Sequence, residues 1–432
     1  MILNNLNRYI NMYSPIEWTF DLLPEHHKYL TFLKKVFRHE FRKSWFRRLS
    51  TPLLEKKELI EKSLWNNFIL ENSDFDLNQD PSLWNLRAYL ENNIKEEIQP
   101  VYYYYMHQLY KKEWNWIKAY EVIWADIIWE NDPILDAIQI YVTYTVLNKI
   151  GLKDKFIITV NSIWIEKEKA KYREELISYY ENKKHILSLK SIELLEKDPM
   201  LVLSSTEEDE IILNNSVPSI SAKFLKKDSK AHYIKFKEYL DILKIPYTED
   251  HKLVWDKSYQ TNSVWQFKSL DWRVIANWAR YNALSKNIGE AKEIPATWFM
   301  VDTNLLISLL LENNVKLKNK DRIDLFFVQL WDEAKAVILP LSLLAREAWI
   351  NTVVSLWTPS MKEQMLKAGR VWSRYVVMVW IMEARNGIFQ VRDMQDWTQT
   401  EIKKEELISY IIGKIGKENL DFYSPERDLI IE

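Results

Sequence analysis

Tight turns and helix ends need residues that take up positive φ, and glycine does so at no steric cost. This chain has only 6 glycines in 432 residues, beside 20 tryptophans. An ordinary protein of this length carries about 30 glycines, at roughly 7% of residues. Glycine and tryptophan together make up about 6% here, close to the usual share of glycine alone. Several tryptophans also stand where glycine is expected. In RYVVMVWIMEARNGIFQVRDMQDWTQ (374–399), apolar β-branched runs flank Asn386-Gly387, which predicts a two-residue hairpin turn. Asp396-Trp397 follows where a second tight turn is due, and an indole suits it badly. Trp349 in LAREAWI and Trp45 in FRKSWFRRL each follow a helical run, where a left-handed residue closes the helix. The pattern reads as glycine codons translated under the wrong genetic code. UGA is stop in the standard code, tryptophan in one variant and glycine in another. A genuinely tryptophan-rich protein is the competing reading. Glycine at 349 and 397 predicts that both indoles lie exposed or strained at turns, not packed in a core.

The length suggests two or three domains, and an apolar fraction of 47% supports sizeable cores. A net charge of −2 gives no general pull toward nucleic acid, so any RNA contact must come from local basic surface. The absence of cysteine excludes disulfides and thiolate metal sites and fits a cytoplasmic protein. The opening MILNNLNRYINMYSPIEW lacks the layout of a signal peptide. No run approaches 18 uninterrupted apolar residues, so no membrane span is expected, and no residues are assigned to a metal site.

Apolar spacing predicts a helix within 22–48, then a strand over 47–54 with Pro52 at an edge or bulge. Residues 100–129 read as a strand pair around a polar turn at 111–116, and the run of tyrosines as alternation in a half-buried strand. A charged helical region covers 166–244, with the acidic run 207–210 as a solvated loop. Strand-like character returns at 252–267, and a helix follows over 303–313. Beyond the polar break ENNVKLKNKDR, the strands LFFVQL, TVVSLW and RYVVMVW alternate with helices starting near Asp332 and Ser360, a small α/β domain with its own core.

With glycine in place of tryptophan, the chain resembles histidyl-tRNA synthetases, a family of class II aminoacyl-tRNA synthetases, over nearly its whole length. PIEWTFDLLPE is similar to the family's P-x-G-T-x-D-x-L-P-E start, and FRKSWFRRLSTPLLE to motif 1, the dimer-interface helix and strand. EVIWADIIW resembles the two-glycine segment after motif 2, and VNSIW, LEKDPMLVL and LDILKIPYTEDHKLV the insertion domain. LWDEAKA, REAWI, SLWTPSMKEQMLKAG, SRYVVMVW and NGIFQVRDM follow the anticodon-binding domain closely. About fourteen tryptophans fall on family glycines: Trp18, Trp45, Trp65, Trp124, Trp129, Trp164, Trp278, Trp298, Trp331, Trp349, Trp357, Trp372, Trp380 and Trp397. The resemblance implies an α+β fold, with a class II antiparallel sheet core, a helical insertion and a C-terminal α/β anticodon-binding domain. It implies catalytic core at 1–164, insertion at 165–245, core again at 246–316 and anticodon-binding domain at 317–432.

The implied activity is ATP-dependent attachment of histidine to tRNA(His) through a histidyl-adenylate, by a cytoplasmic homodimer using ATP with magnesium. Class II chemistry needs no nucleophilic side chain; its work is positioning anions, for which arginine's planar fork is suited. Here the motifs depart. F-R-x-E aligns with Tyr110-Lys111-Lys112-Glu113, keeping charge at Lys111 and the acid at Glu113. G-F-A-x-G-x-E-R ends at Leu305 where an arginine would grip the γ-phosphate. R-G-L-D-Y-Y-T becomes Trp255-Asp256-Lys257-Ser258-Tyr259-Gln260-Thr261, without its arginine. R-P-E-G-T becomes 78–82, keeping Asp80 and Ser82, while Arg280 and Tyr281 keep part of G-G-R-Y-D. The resemblance assigns Lys111, Glu113 and Arg280 to catalysis. It assigns Asp80, Ser82, Asp126, Tyr259 and Tyr281 to substrate binding, and Lys362, Gln364 and Arg392 to tRNA. Lys112, Lys257 and Arg273 are candidates to compensate for the missing arginines. Two functions stay open: a ligase with an unusual site, or a non-catalytic paralogue that binds tRNA or histidine or regulates a partner enzyme.

Overall fold

The computed structural model describes residues 21–63, 68–113, 116–163, 166–205, 207–217, 226–254, 259–317, 323–355 and 360–420. The fold is α+β, in two compact units that meet in sequence at Lys316 and Leu317. The first is built on an eight-stranded sheet of order β1-β4-β5-β10-β9-β8-β6-β7. These strands are β1 (Arg47–Arg48), β4 (Val101–Glu113), β5 (Trp116–Ile128), β6 (Phe156–Ser162), β7 (Thr248–Glu249), β8 (Thr261–Ser269), β9 (Val274–Arg280) and β10 (Ala296–Asp302). A separate pair joins β2 (Leu54–Lys56) to β3 (Phe75–Leu77).

The long hairpin β4–β5 sets the frame. Its register runs unbroken from Val101↔Ile128 to Glu113↔Trp116, so residues 111–113 and 116, expected in the turn, belong to the strands. Period-two alternation puts Tyr103 and Tyr105 on one face and Tyr104 on the other. Tyr104 stacks on Phe41 of helix α1 (Pro24–Lys43), ring centroids 4.8 Å apart. Helix α1 buries Leu30, Leu33, Phe37 and Phe41, a stripe at helical spacing, while its basic residues Arg42 and Lys43 complement the dipole at its C-terminal end. Helix α2 (Lys57–Lys62) follows β2, α3 (Pro81–Glu91) follows β3, and α4 (Ile134–Lys149) follows β5.

Three local expectations change. The strand expected over 47–54 splits into β1, parallel to β4, and β2 in the other sheet; Pro52 lies between and has no N–H to continue a ladder. The acidic run at 207–210 is not a solvated loop. A helix, Glu208–Asn214, begins there, and buried Glu210 accepts from the Ser188 N–H and the Ser191 hydroxyl, both at 2.5 Å. The strand expected over 252–267 is β8, starting at Thr261. Helices Glu166–Glu181, Leu189–Lys197, Glu208–Asn214 and Lys227–Ile242 occupy the charged region.

The second unit is a five-stranded sheet, β12-β11-β13-β14-β15. Strands β11 (Leu325–Gln329), β12 (Thr352–Val354) and β13 (Tyr375–Val379) are parallel, and β14 (Ile388–Asp393) and β15 (Gln399–Lys403) are antiparallel. Asn386-Gly387 is not a two-residue hairpin. A short helix, Ile381–Asn386, separates β13 from β14, and Gly387 closes it at φ 66°. The same dipeptide serves a left-handed helix end as readily as a hairpin turn, and the preceding IMEAR favours helix.

Positive φ is where the sequence and the backbone conflict. Among the described residues eleven non-glycine residues have it, and six are tryptophan: Trp45, Trp129, Trp272, Trp349, Trp372 and Trp397. The others are Asn93, Asn262, Asn314, Asp154 and Lys244. Asparagine and aspartate tolerate this region, whereas a bulky residue there is an outlier. Three of the six close helices identically. The N–H of Trp45 donates to Arg42 and that of Phe46 to Phe41; Trp349 to Arg346 and Ile350 to Ala345; Trp372 to Gly369 and Ser373 to Ala368. That pairing is the Schellman motif, whose left-handed position usually holds glycine. Trp272 and Trp397 each follow an aspartate in the β8–β9 and β14–β15 turns. Trp45, Trp372 and Trp397 are 84, 81 and 64% exposed, and Trp349 37%. Trp331 and Trp380, by contrast, have ordinary extended backbone that does not demand glycine. A left-handed L-residue costs about 1–2 kcal/mol, so six cost roughly 6–12 kcal/mol, as much as a domain's usual net stability of about 5–15 kcal/mol.

Trp349→Gly is therefore expected to raise the melting temperature of the second unit by about 4 °C, read by calorimetry. Trp349→Ala keeps a Cβ at the strained position and is expected to gain much less.

Candidate active site

Register and one helix cap assemble the first unit's polar cluster. Asp126 of β5 pairs with Tyr103 on one side and Trp298 on the other, in the middle of the sheet. It is fully buried and accepts from the Tyr281 hydroxyl at 2.7 Å, the Trp124 indole N–H at 2.8 Å and the Asn85 amide. Burial pushes its carboxyl up to about 7, with these three donors pulling the other way. Asp80 caps helix α3, accepting from the Ser82 N–H at 3.0 Å and the Ser82 hydroxyl at 2.8 Å, and it also accepts from the Tyr259 hydroxyl. A cap at 80 with Asn85 in the second turn brings one helix end onto both carboxylates. The charge on Asp80 contributes to raising Asp126, Tyr281 and Tyr105, after burial in each case.

All five residues assigned to substrate binding thus share this cluster. Sequence reasoning missed Asn85, Tyr105 and the part played by Trp124. Asn85 carried a signal, standing three residues after Ser82 on the same helix; Tyr105 carried none within its run of tyrosines.

Of the residues assigned to catalysis, Arg280 and Lys111 are elsewhere. Arg280 is wholly buried and bound to Asp136, through Nε at 3.1 Å and Nη2 at 2.6 Å. Its remaining N–H groups reach the carbonyls of Glu130 and Asp132 and the Asn131 side chain. Burial pushes the Asp136 carboxyl up and the guanidinium opposes it. The arginine ties β9 to the start of helix α4; it precedes Tyr281 in the chain and, by strand alternation, faces away from Asp126. Lys111 shares the face of Asp126 but lies eight residues along β4 from Tyr103, about 26 Å at 3.3 Å per residue. The side chain of Glu113 lies outside the described residues, as do Trp255, Asp256, Lys257 and Ser258. Lys112 binds Glu71 and Arg273 binds Glu312, so neither replaces a missing arginine at the cluster. Leu305 stands in the first turn of helix Thr303–Glu312, its N–H donating to the Asp302 cap.

In the second unit Lys362 and Arg392 line one groove of about 680 Å³, with Arg370, Met365, Leu366 and Met394. Trp372 and Trp397 also border it. Gln364 does not. It is buried, and its amide clips helix Met361–Arg370 to both backbone groups of Gln329, so it serves the fold and is not exposed.

The chain is 28% identical over 407 residues to a histidine–tRNA ligase of Halothermothrix orenii, spanning 90% of this chain and 96% of that protein. Among solved structures, the apo histidyl-tRNA synthetase of S. aureus matches with a TM-score of 0.76 at 22% identity, over 93% of this chain and 100% of that one. A Bacillus halodurans protein described as an ATP phosphoribosyltransferase regulatory subunit/histidyl-tRNA synthetase matches with a TM-score of 0.61 at 16% identity, over 85% of this chain and 100% of that one. No family model matches.

Arg280→Leu leaves Asp136 charged and buried without its partner and is expected to cost about 3–5 kcal/mol in denaturant unfolding. Adding Asp136→Leu should recover most of it; activity lost at unchanged stability would instead place Arg280 at the reacting atoms. A carboxyl raised to about 7 is still protonated in the folded protein where the unfolded chain has ionised it. The stability from Asp126 is thus full below about pH 4 and lost as pH rises to about 7. In thermal melts Asp126→Asn should gain on the parent from pH 5 to pH 8; a constant gap would contradict the assignment.

Proposed function

The chain belongs to the histidyl-tRNA synthetase family, and on that premise we propose that it joins histidine to tRNA(His) using ATP, through a histidyl-adenylate. The observation that carries this reading is the buried cluster of Asp126 with Tyr281 and Asn85, beside Asp80 with Tyr259 and Ser82. Asp126 accepts only from neutral donors among the described residues, which suits a ligand bearing cationic N–H groups; histidine offers an ammonium and an imidazole. The chemistry then consists of holding that amine so the substrate carboxylate faces the α-phosphate, with no side-chain nucleophile. The second unit supports tRNA recognition. Lys362, Arg370 and Arg392 offer cations to phosphates, and Met365, Leu366 and Met394 an apolar bed for bases.

The proposal includes a homodimer through the α1–β1 segment that resembles motif 1, at work in the cytoplasm. No described helix is long and apolar enough to cross a membrane. Among the described residues no three His, Asp or Glu side chains are grouped to hold a metal; on this reading magnesium comes with the nucleotide's phosphates.

A specific observation favours the second reading, a non-catalytic paralogue that binds histidine or tRNA or regulates a partner. Leu305 aligns with the arginine that the resemblance puts at the γ-phosphate, and Arg280, Arg273 and Lys112 are committed to carboxylates away from the cluster. Losing one partner of a desolvated charged contact commonly costs about 2–5 kcal/mol.

Histidine-dependent ATP–pyrophosphate exchange separates the two. Exchange is expected of a ligase; its absence with intact tRNA binding assigns the paralogue. Lys362→Ala and Arg392→Ala are each expected to weaken tRNA(His) binding and lower its salt slope by about one.

A further inference from the structure

We infer that Lys169, which lies outside the cluster, is a positioning residue. It holds the loop that sets the Tyr259 hydroxyl on Asp80, and through it the helices between Glu166 and Ile242 govern how tightly the cluster holds its ligand. That the ligand is histidine rests on the reading above; the positioning rests on the geometry of the first unit.

Tyr259 reaches Asp80 from the residues that lead into β8. Strand β9 gives that approach little direction. Thr261 pairs with Arg280, but the next pair in register is Val264 with Ala279, so Asn262 and Ser263 have no counterpart on β9. Such a bulge bends the strand and re-aims what precedes it. Asn262 sits at φ 57°, in the left-handed region.

The groups that fix the loop come from β6 and the helix after it. The Asn161 amide donates to the carbonyls of His251 at 3.3 Å and Leu253 at 3.0 Å, at the loop's start. At its end the Ile163 N–H donates to the Asn262 carbonyl at 2.7 Å. The Lys169 side-chain nitrogen, from the first turn of helix Glu166–Glu181, donates to the Gln260 carbonyl at 2.5 Å. That carbonyl belongs to the residue after Tyr259, so the bond fixes the peptide plane next to it. Both Lys169 and Gln260 are buried. Lysine is almost never buried this deeply unless it is bound, and here its donation goes to the loop.

Glu168, the preceding residue, grips a different element. Its buried carboxylate accepts from the Lys226 N–H at 2.7 Å and the Ser229 hydroxyl at 2.9 Å, at the start of helix Lys227–Ile242. Donors at a helix start lack partners within the helix, so a carboxylate there anchors it. One helical turn thus ties helix Lys227–Ile242 on one side and the Tyr259 loop on the other. A shift of that helix is passed to Tyr259 through two adjacent side chains.

The test compares the full chain with Lys169→Met, which keeps the side chain's bulk and removes its donor. In hydrogen exchange read by mass spectrometry, residues 259–264 are expected to exchange about tenfold faster. The β4–β5 hairpin should keep the parent rate. L-Histidine, titrated calorimetrically, is expected to bind roughly tenfold more weakly, because Tyr259 is no longer held in place. In a Tyr259→Phe background the same substitution should add less than about twofold, since the hydroxyl that Lys169 positions is already gone. Unchanged exchange at 259–264 overturns the inference, as does unchanged L-histidine affinity or a full added loss in the Tyr259→Phe background. Faster exchange throughout the first unit, or failure to fold, makes Lys169 a general stability group and also overturns it. A parent chain that binds no L-histidine, with the local rise in exchange still present, keeps the positioning and removes the histidine reading.

Discussion

A carboxylate taken out of water is held only by the donors brought to it, and Asp126 is such a group in the centre of the large sheet. Its oxygens tie three elements into one node: helix α3 through Asn85, β5 through Trp124, and the end of β9 through Tyr281. The cap at Asp80 fixes where α3 begins, so the same helix that satisfies Asp126 also delivers Ser82 and the contact with Tyr259. On the other face, Arg280 and Asp136 do the corresponding work, locking β9 to helix α4. The two adjacent residues Arg280 and Tyr281 thus serve opposite faces of one sheet. One makes an internal ion pair; the other completes the buried polar cluster around Asp126.

Much of the fold was legible because it rests on periodicity. The long hairpin, helix Thr303–Glu312 and the αβ alternation of the second unit follow from apolar spacing, which burial enforces over many residues at once. The failures are places where one residue decides. Pro52 splits a strand, Asn386-Gly387 ends a helix where a hairpin was expected, and Glu210 is buried because two serines meet it. None of these is visible to a pattern that averages over a window.

The site divides along the same line. Asp80, Ser82, Asp126, Tyr259 and Tyr281, picked out by residue type at motif positions, lie in one hydrogen-bonded cluster even where the motifs around them depart. Arg280 and Gln364 matched positions equally well, yet their side chains are spent on Asp136 and on the backbone of Gln329. Residue type and spacing do not say which way a strand residue faces relative to a partner 144 positions away. Tryptophan was the reverse case. The turn chemistry read at Trp349 and Trp397 agrees with their backbone, and Asp271-Trp272 is the same turn, passed over because no family motif covers it.

The charge balance of the cluster bears on what it can do. Two unit charges interact with about 332/(ε·r) kcal/mol, so at an effective dielectric of 20 a carboxylate 8 Å from a phosphate costs about 2 kcal/mol. On the resemblance, Leu305 stands where an arginine would meet a nucleotide's phosphate, and the retained Arg280 is already neutralised by Asp136. On the ligase reading the ligand itself supplies part of the offset. An ammonium bound at Asp126 cancels that carboxylate's repulsion before the triphosphate approaches. The same arrangement, with no nucleotide to follow, is sufficient for a protein that only holds the amine, so the acidic cluster is common to both readings and the cations alone divide them.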